Sequence, residues 1–302
     1  MKRRGSVGND NAIAFQFYLP AMLVITVFIL FPVYQAVTMA FSEWFLLSAS
    51  PEHPFIGFAN FQEIFSLTHF WKMVFVTFAY TFFGVGGKML IGLGTALMLN
   101  RDFIGRGFVR GIMIIPWAMP TVVACTVFLL SLDPAYGILN ATLQRIGLIP
   151  GGFQFFSKPE VALVTVVVIG VWKYFPFVTL MLLAALQGIS DDYYDAASID
   201  GANAIQKFRH ITWPLLQPVW RIVLILQIIW TIREFELVFL ITGGGPDNGT
   251  AIIGVDIYLN AFRFSKLGAA SAEGMFLLLF SFVFASLYFL SLSRQNRGGA
   301  AR

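Results

Sequence analysis

The chain has 302 residues, 58% of them hydrophobic and 12% charged, with 33 Phe and 7 Trp; an ordinary soluble domain is about 45–50% apolar and about 25% charged. That balance excludes a cytosolic enzyme and a disordered chain, and makes lipid the solvent for most of the protein. The net charge of +4 is small, the one cysteine, Cys125, excludes an internal disulfide, and His53, His69 and His210 share no metal-ligand spacing.

A helix crosses the roughly 30 Å hydrocarbon layer with about 20 apolar residues, and six segments reach that length. Residues 15–41 carry no charge. Residues 74–100 are broken only by Lys88, near the middle, for which the sequence offers no partner. Residues 111–132 are charge-free, and residues 161–189 contain only Lys173. Residues 215–241 hold Arg221, Arg233, Glu234 and Glu236, and residues 274–293 are charge-free again. Barrel strands are about ten residues long and alternate polar with apolar; these runs are too long and too uniform for that. The expected fold is an all-α membrane protein with six transmembrane helices.

Pro20, Pro32, Pro116, Pro120 and Pro176 fall inside these spans, where each removes a helix hydrogen bond and favours a kink. Intramembrane charges mark function by default. Arg233 and Glu236 are three apart and suit a pair along one helix face. Glu234 points about 100° away from Arg233, toward Lys173 or a ligand hydroxyl.

Lys and Arg collect on the inner side of a membrane protein. With six spans, one side gathers Lys2, Arg3, Arg4, Arg101, Arg106, Arg110, Lys207, Arg209, Arg294, Arg297 and Arg302. The other gathers Lys72, Arg145, Lys158, Arg263 and Lys266. Both termini are therefore expected in the cytoplasm. The expected organisation is a cytoplasmic tail of residues 1–14, a membrane domain of residues 15–293, and a cytoplasmic tail of residues 294–302.

The inner loop at residues 190–213 differs from the others. Ser190 is a natural N-cap, and Asp191 and Asp192 suit a helix N-terminus. Tyr194, Ala197 and Ile199 are not all expected to face solvent, and Gly201 ends this first short helix. A second short helix is expected from Ala202 to His210, with Pro214 opening the fifth span. Both read as surface helices.

The run Asp195-Ala196-Ala197, Asp200-Gly201-Ala202, Phe208, Ile211, Pro214 resembles the coupling loop of ABC importer permeases, with Asp195 in place of the usual Glu. Phe55-Ile56-Gly57-Phe58-Ala59-Asn60-Phe61, Ile115-Pro116-Trp117-Ala118-Met119-Pro120 and Gly137-Ile138-Leu139-Asn140 extend the resemblance. So do Trp172-Lys173-Tyr174-Phe175-Pro176-Phe177 and Thr242-Gly243-Gly244-Gly245-Pro246. Together they look like the first permease subunit of the maltose and glycerol-phosphate branch of carbohydrate importers.

That resemblance implies a type I importer transmembrane domain, multi-pass in a bacterial or archaeal plasma (inner) membrane, that translocates a carbohydrate and does no covalent chemistry. Implied partners are a second homologous permease in a heterodimer, a cytoplasmic ABC ATPase dimer and an extracytoplasmic solute-binding protein, with no nucleic acid. ATP and Mg would belong to the ATPase, leaving this chain with no cofactor of its own. Tyr194, Asp195, Ala196, Ala197, Asp200, Gly201 and Ala202 would contact the ATPase. In the maltose-type permease the solute touches the helix before the coupling loop and the helix after it. Carried over from Asp-Gly-Ala without gaps, those positions fall on Lys173, Tyr174 and Phe177, then Gln227, Trp230, Thr231 and Glu234. A permease for a non-sugar solute is the runner-up. An ion-driven carrier with Glu234 or Glu236 moving protons is a third reading, which an ATPase-docking loop disfavours.

Overall fold

The computed structural model describes residues 7–47 and 52–299, and the described residues are almost entirely helical. Lys2, Arg3, Arg4 and Arg302, counted above toward the inner side, lie outside them. In chain order the helices are α1 (Val7–Ile25), α2 (Phe31–Ala40), α3 (Ala59–Ser66), α4 (Thr68–Leu99), α5 (Arg106–Ala118), α6 (Thr121–Ser131) and α7 (Ile138–Arg145). Then come α8 (Pro159–Gln187), α9 (Asp191–Ile199), α10 (Ala204–Lys207), α11 (Trp213–Ile232), α12 (Glu236–Thr242), α13 (Ile253–Tyr258) and α14 (Leu267–Gly299). Wide turns at Thr26–Leu30, Phe208–Thr212 and Leu259–Arg263 join α1 to α2, α10 to α11, and α13 to the loop before α14.

Four continuous helical stretches are long and apolar enough to span: Phe17–Ala40, Thr68–Leu99, Pro159–Gln187 and Ala204–Ile232. The bent pair α5–α6 makes a fifth when counted as one span, and the sixth expected span falls in α14, whose described apolar stretch is Leu267–Val283.

Three spans differ from simple rods. The expected third span bends by 95° between α5 and α6. Pro120 lacks an N–H and disfavours helical backbone at the residue before it, and Met119 is extended at φ −68°, ψ 134°. The expected fifth span stops at Ile232 and resumes at Glu236 across Phe235, at φ −140°, ψ −55°. Arg233 and Glu236 therefore do not share a helix face; both are exposed and neither forms an ion pair among the described residues. The first span opens into its wide turn just ahead of Pro32, at the start of α2, where the proline withholds a donor. Pro20, Pro116 and Pro176 sit inside unbroken helices.

The chain divides into two compact units. One contains residues up to 67 together with 257–278. There Asn60 Nδ2 donates to the carbonyls of Ala40 (2.9 Å) and Ser42 (3.0 Å), fixing the end of α2. Phe41 packs against Phe58 and Phe61, with ring centroids 5.2 and 5.3 Å apart. That gives the motif at residues 55–61 a structural role.

The other unit contains residues 68–256 and the stretch from 279. Its centre is the α4–α8 contact. In lipid, helices associate by close packing rather than by escape from water, so small residues matter at the seam. A Cβ on Gly87 would stand 2.7 Å from Val171, and one on Gly92 would stand 2.6 Å from Val178. Val85, Met89, Ala96, Leu99, Leu182, Leu186, Leu216 and Val223 complete the buried core. Thr95 and Thr179 share a hydroxyl hydrogen bond of 2.6 Å across it.

Candidate functional site

A cavity of about 240 Å³ opens among α4, α5, α8, α11 and the break after α11. Lys88, Trp117, Tyr174, Phe177, Gln227, Trp230, Thr231 and Glu234 line it. Gln227 and Thr231 are one turn apart and both buried, and the Thr231 hydroxyl donates to the Gln227 carbonyl at 2.6 Å. The Lys88 ammonium in turn donates to the Thr231 hydroxyl at 2.6 Å. Trp117, Phe177 and Trp230 form a strip of rings, with centroids 6.0 and 5.0 Å apart along it. Trp230 is 49% exposed at its open end.

Six of the seven residues expected on this face thus line one cavity. Lys173 does not. It is 2% exposed, and its ammonium donates to the Met119 carbonyl at 2.7 Å. Met119 caps the C-terminus of α5, where a cation satisfies a free carbonyl and complements the helix dipole. The expected Lys173–Glu234 contact is absent from the ion pairs of the described residues. Glu234 instead caps the start of α12: its Oε1 accepts from the backbone N–H of Phe235 (3.2 Å) and of Leu237 (3.4 Å). The cavity therefore combines ring faces for C–H surfaces with an ammonium, a carboxylate, an amide and a hydroxyl for polar groups. Lys88 and Trp117 were not among the expected site residues. Lys88 was visible as a lone mid-span charge, and Trp117 as the aromatic just ahead of the Met119–Pro120 bend.

The loop at residues 190–213 is built from local signals. The Ser190 hydroxyl accepts from the Asp192 N–H at 3.3 Å, opening α9. Gly201, at φ +77°, closes it: its N–H reaches the Ser198 carbonyl (3.1 Å) and the Ala202 N–H reaches the Ala197 carbonyl (2.9 Å). This pairing needs left-handed backbone at the glycine. Asn203 and Gln206 then cap α10 reciprocally.

One expectation for the loop is corrected. The second helix is not separate, because backbone from Lys207 to Trp213 stays helical and runs directly into α11. Tyr194, Ala197 and Ile199 do not all face solvent, as expected: only Ile199 does, at 87% exposed. Tyr194, Ala197 and Ala202 are half-buried, whereas Asp195, Ala196, Asp200 and Gly201 are exposed. The Tyr194 hydroxyl meets that of Thr212 at 2.9 Å, tying α9 to the helix below. Ala197, Asp200, Gly201, Ala202, Gln206, Lys207, His210 and Ile211 line a groove of about 330 Å³.

The sequence pattern of binding-protein-dependent transport system inner membrane components matches residues 88–297. The chain belongs to that family. This permease component is 36% identical over 281 residues to the trehalose/maltose transport system permease protein MalF of Thermococcus litoralis, with 92% of each chain covered. It is 33% identical over 279 residues to the sulfoquinovosyl glycerol transport system permease protein SmoG of Agrobacterium fabrum, covering 92% of this chain and 90% of the other. A crystal structure of a bacterial ABC transporter involved in the import of the acidic polysaccharide alginate matches with a TM-score of 0.80 at 23% identity, covering 94% of this chain and 96% of that one. The permease therefore has the type I ABC importer fold, and it is a multi-pass membrane protein.

Proposed function

We propose that this chain is one of two permease halves of an ATP-driven importer that carries a carbohydrate into the cytoplasm. The cavity carries this reading: a strip of three rings stands beside hydrogen-bonding groups of both signs, the chemistry that grips a sugar's C–H face and its hydroxyls. Relatives named for trehalose/maltose and for sulfoquinovosyl glycerol support it. The cavity of about 240 Å³ falls below the roughly 300–1,000 Å³ of complete small-molecule sites, which supports a second permease contributing the rest. Tyr174, Phe177, Gln227, Trp230, Thr231 and Glu234 are the solute-facing set, and Lys173 supports them from behind.

ATP binding and hydrolysis fall to separate cytoplasmic subunits, which α9 and the groove beside it engage through Asp195, Ala196, Ala197, Asp200 and Gly201. An extracytoplasmic binding protein delivers the solute; a solved alginate importer was captured with such a partner, holding an alginate pentasaccharide.

Trp230→Ala is expected to lower carbohydrate uptake by about tenfold, a loss near 1.4 kcal/mol, in complexes that assemble normally. Basal ATP hydrolysis and sugar binding by the isolated binding protein should not change. Wild-type uptake in this variant would remove the cavity from the transport path.

Topology has its own test. Both termini, and the loop at 190–213, are assigned to the cytoplasm. In a Cys125→Ser background, a membrane-impermeant thiol reagent on intact cells should label Asn248→Cys and spare Asn203→Cys. Both positions are exposed. Labelling of the second and not the first would invert the assignment.

A further inference from the structure

Lys88 is placed where a charge is expensive. It lies deep within α4, is 4% exposed, and forms no ion pair among the described residues. Its contacts are the Thr231 hydroxyl at 2.6 Å and the face of the Tyr174 ring, 5.6 Å from the centroid. An ammonium has three N–H donors, and Thr231 takes one. Thr231 is itself oriented for this, because its proton is committed to the Gln227 carbonyl and its lone pair is left for the lysine. The remaining donors belong to a group that lines the cavity. Beyond the Thr231 oxygen and the ring, the ammonium feels the Glu234 carboxylate only through space, with no ion pair formed, and an incoming molecule that brings further oxygens to its free donors stabilises it. The charged groups lining the cavity are this one ammonium and the Glu234 carboxylate, so the lining is balanced and complements a neutral solute.

We propose that Lys88 is a specificity-determining residue of the permease, and that its spare donors bind hydroxyl oxygens of an uncharged sugar. This rests on the carbohydrate reading above and adds to it both a contact outside the α8–α11 face and the charge class of the cargo.

The test uses the full complex of both permeases, ATPase and binding protein in proteoliposomes. The probes are radiolabelled trehalose, maltose and a uronate-bearing disaccharide. The wild type should take up a neutral disaccharide and leave the uronate behind. Lys88→Met should assemble and raise KM for the neutral sugar about 10- to 100-fold, the range for losing hydrogen bonds to a charged group. Lys88→Arg should recover part of that loss. In a Cys125→Ser background, Lys88→Cys should show the same defect, and an aminoethyl thiosulfonate reagent, which restores an ammonium at similar reach, should reverse it. An unchanged KM in Lys88→Met, or failure of both Lys88→Met and Lys88→Arg to assemble, would overturn the role of Lys88 while leaving carbohydrate transport standing. Wild-type preference for the uronate would overturn the charge class. A wild-type complex that moves none of these sugars would overturn the carbohydrate reading and this inference with it.

Discussion

Gly201→Asp is expected to abolish uptake and the stimulation of ATP hydrolysis by the binding protein, while the subunit still reaches the membrane at its native level. Gly201 holds φ +77°, and side chains at such backbone cost roughly 1–2 kcal/mol, with Asp and Asn at the low end. A Cβ there would meet no atom of the described residues within 4 Å beyond its two chain neighbours. The permease alone therefore has room for the new side chain, and strain is its only internal cost. Any larger effect comes from a surface that packs on the turn, and a third acid beside the exposed Asp195 and Asp200 would repel or obstruct it. Gly201→Asn carries similar strain without the charge and should lose less. The measurement is uptake per assembled complex, with co-purified ATPase quantified alongside. Native transport by Gly201→Asp with the ATPase still bound would move the docking surface elsewhere.

Glu234→Ala is expected to stop uptake by two routes at once. It removes the carboxylate from the cavity, and it strips the acceptor from the Phe235 and Leu237 amides, an N-terminal cap worth about 0.5–2 kcal/mol. Glu234→Gln separates the routes, because its amide oxygen can still accept from both N–H groups. The glutamine variant should assemble as the wild type does yet transport poorly. Adding Lys173→Met to it should not restore function. Lys173 serves the Met119 carbonyl, and its loss should weaken assembly by a similar amount in either background, as for independent sites. Recovery in the double variant would reinstate a Glu234–Lys173 pair.

Much of this architecture was legible in order of range along the chain. Span positions follow from uninterrupted apolar length, and the ends of α9 follow from Ser190 and Gly201, whose caps close within a few residues. The helix breaks were harder. Pro116 and Pro120 are the same residue in the same segment, yet α5 continues through Pro116 and bends after Met119. Residue type says only that a donor is missing, not whether neighbours will tolerate the loss. The partner of Lys173 is a backbone carbonyl 54 positions away, which no search for opposite charges finds. The sequence points Glu234 toward Lys173 or a ligand hydroxyl; it lines the cavity and accepts from the amides that reopen the helix after the break. The cavity face of α11 came from the resemblance, which places the solute on Gln227, Trp230 and Thr231 and on Glu234 in the break just beyond. The contributions of α4 and α5 were not readable, because one lysine and one tryptophan have no periodicity.

The glycines of the α4–α8 seam have a mechanical consequence. Val171 and Val178 sit so close to Gly87 and Gly92 that sliding one helix past the other would first require separating them, so the two are expected to move as one strut. α8 runs unbroken to Gln187, three residues short of Ser190, and Phe177 lies ten residues back, about 15 Å along the axis. If α9 docks the ATPase as proposed, a push there would reach the rings of the cavity through one continuous helix. The breaks in the helices are elsewhere, at Met119–Pro120 and at Arg233–Phe235, and both adjoin the cavity. Cargo would be released where the bundle bends rather than where it is driven.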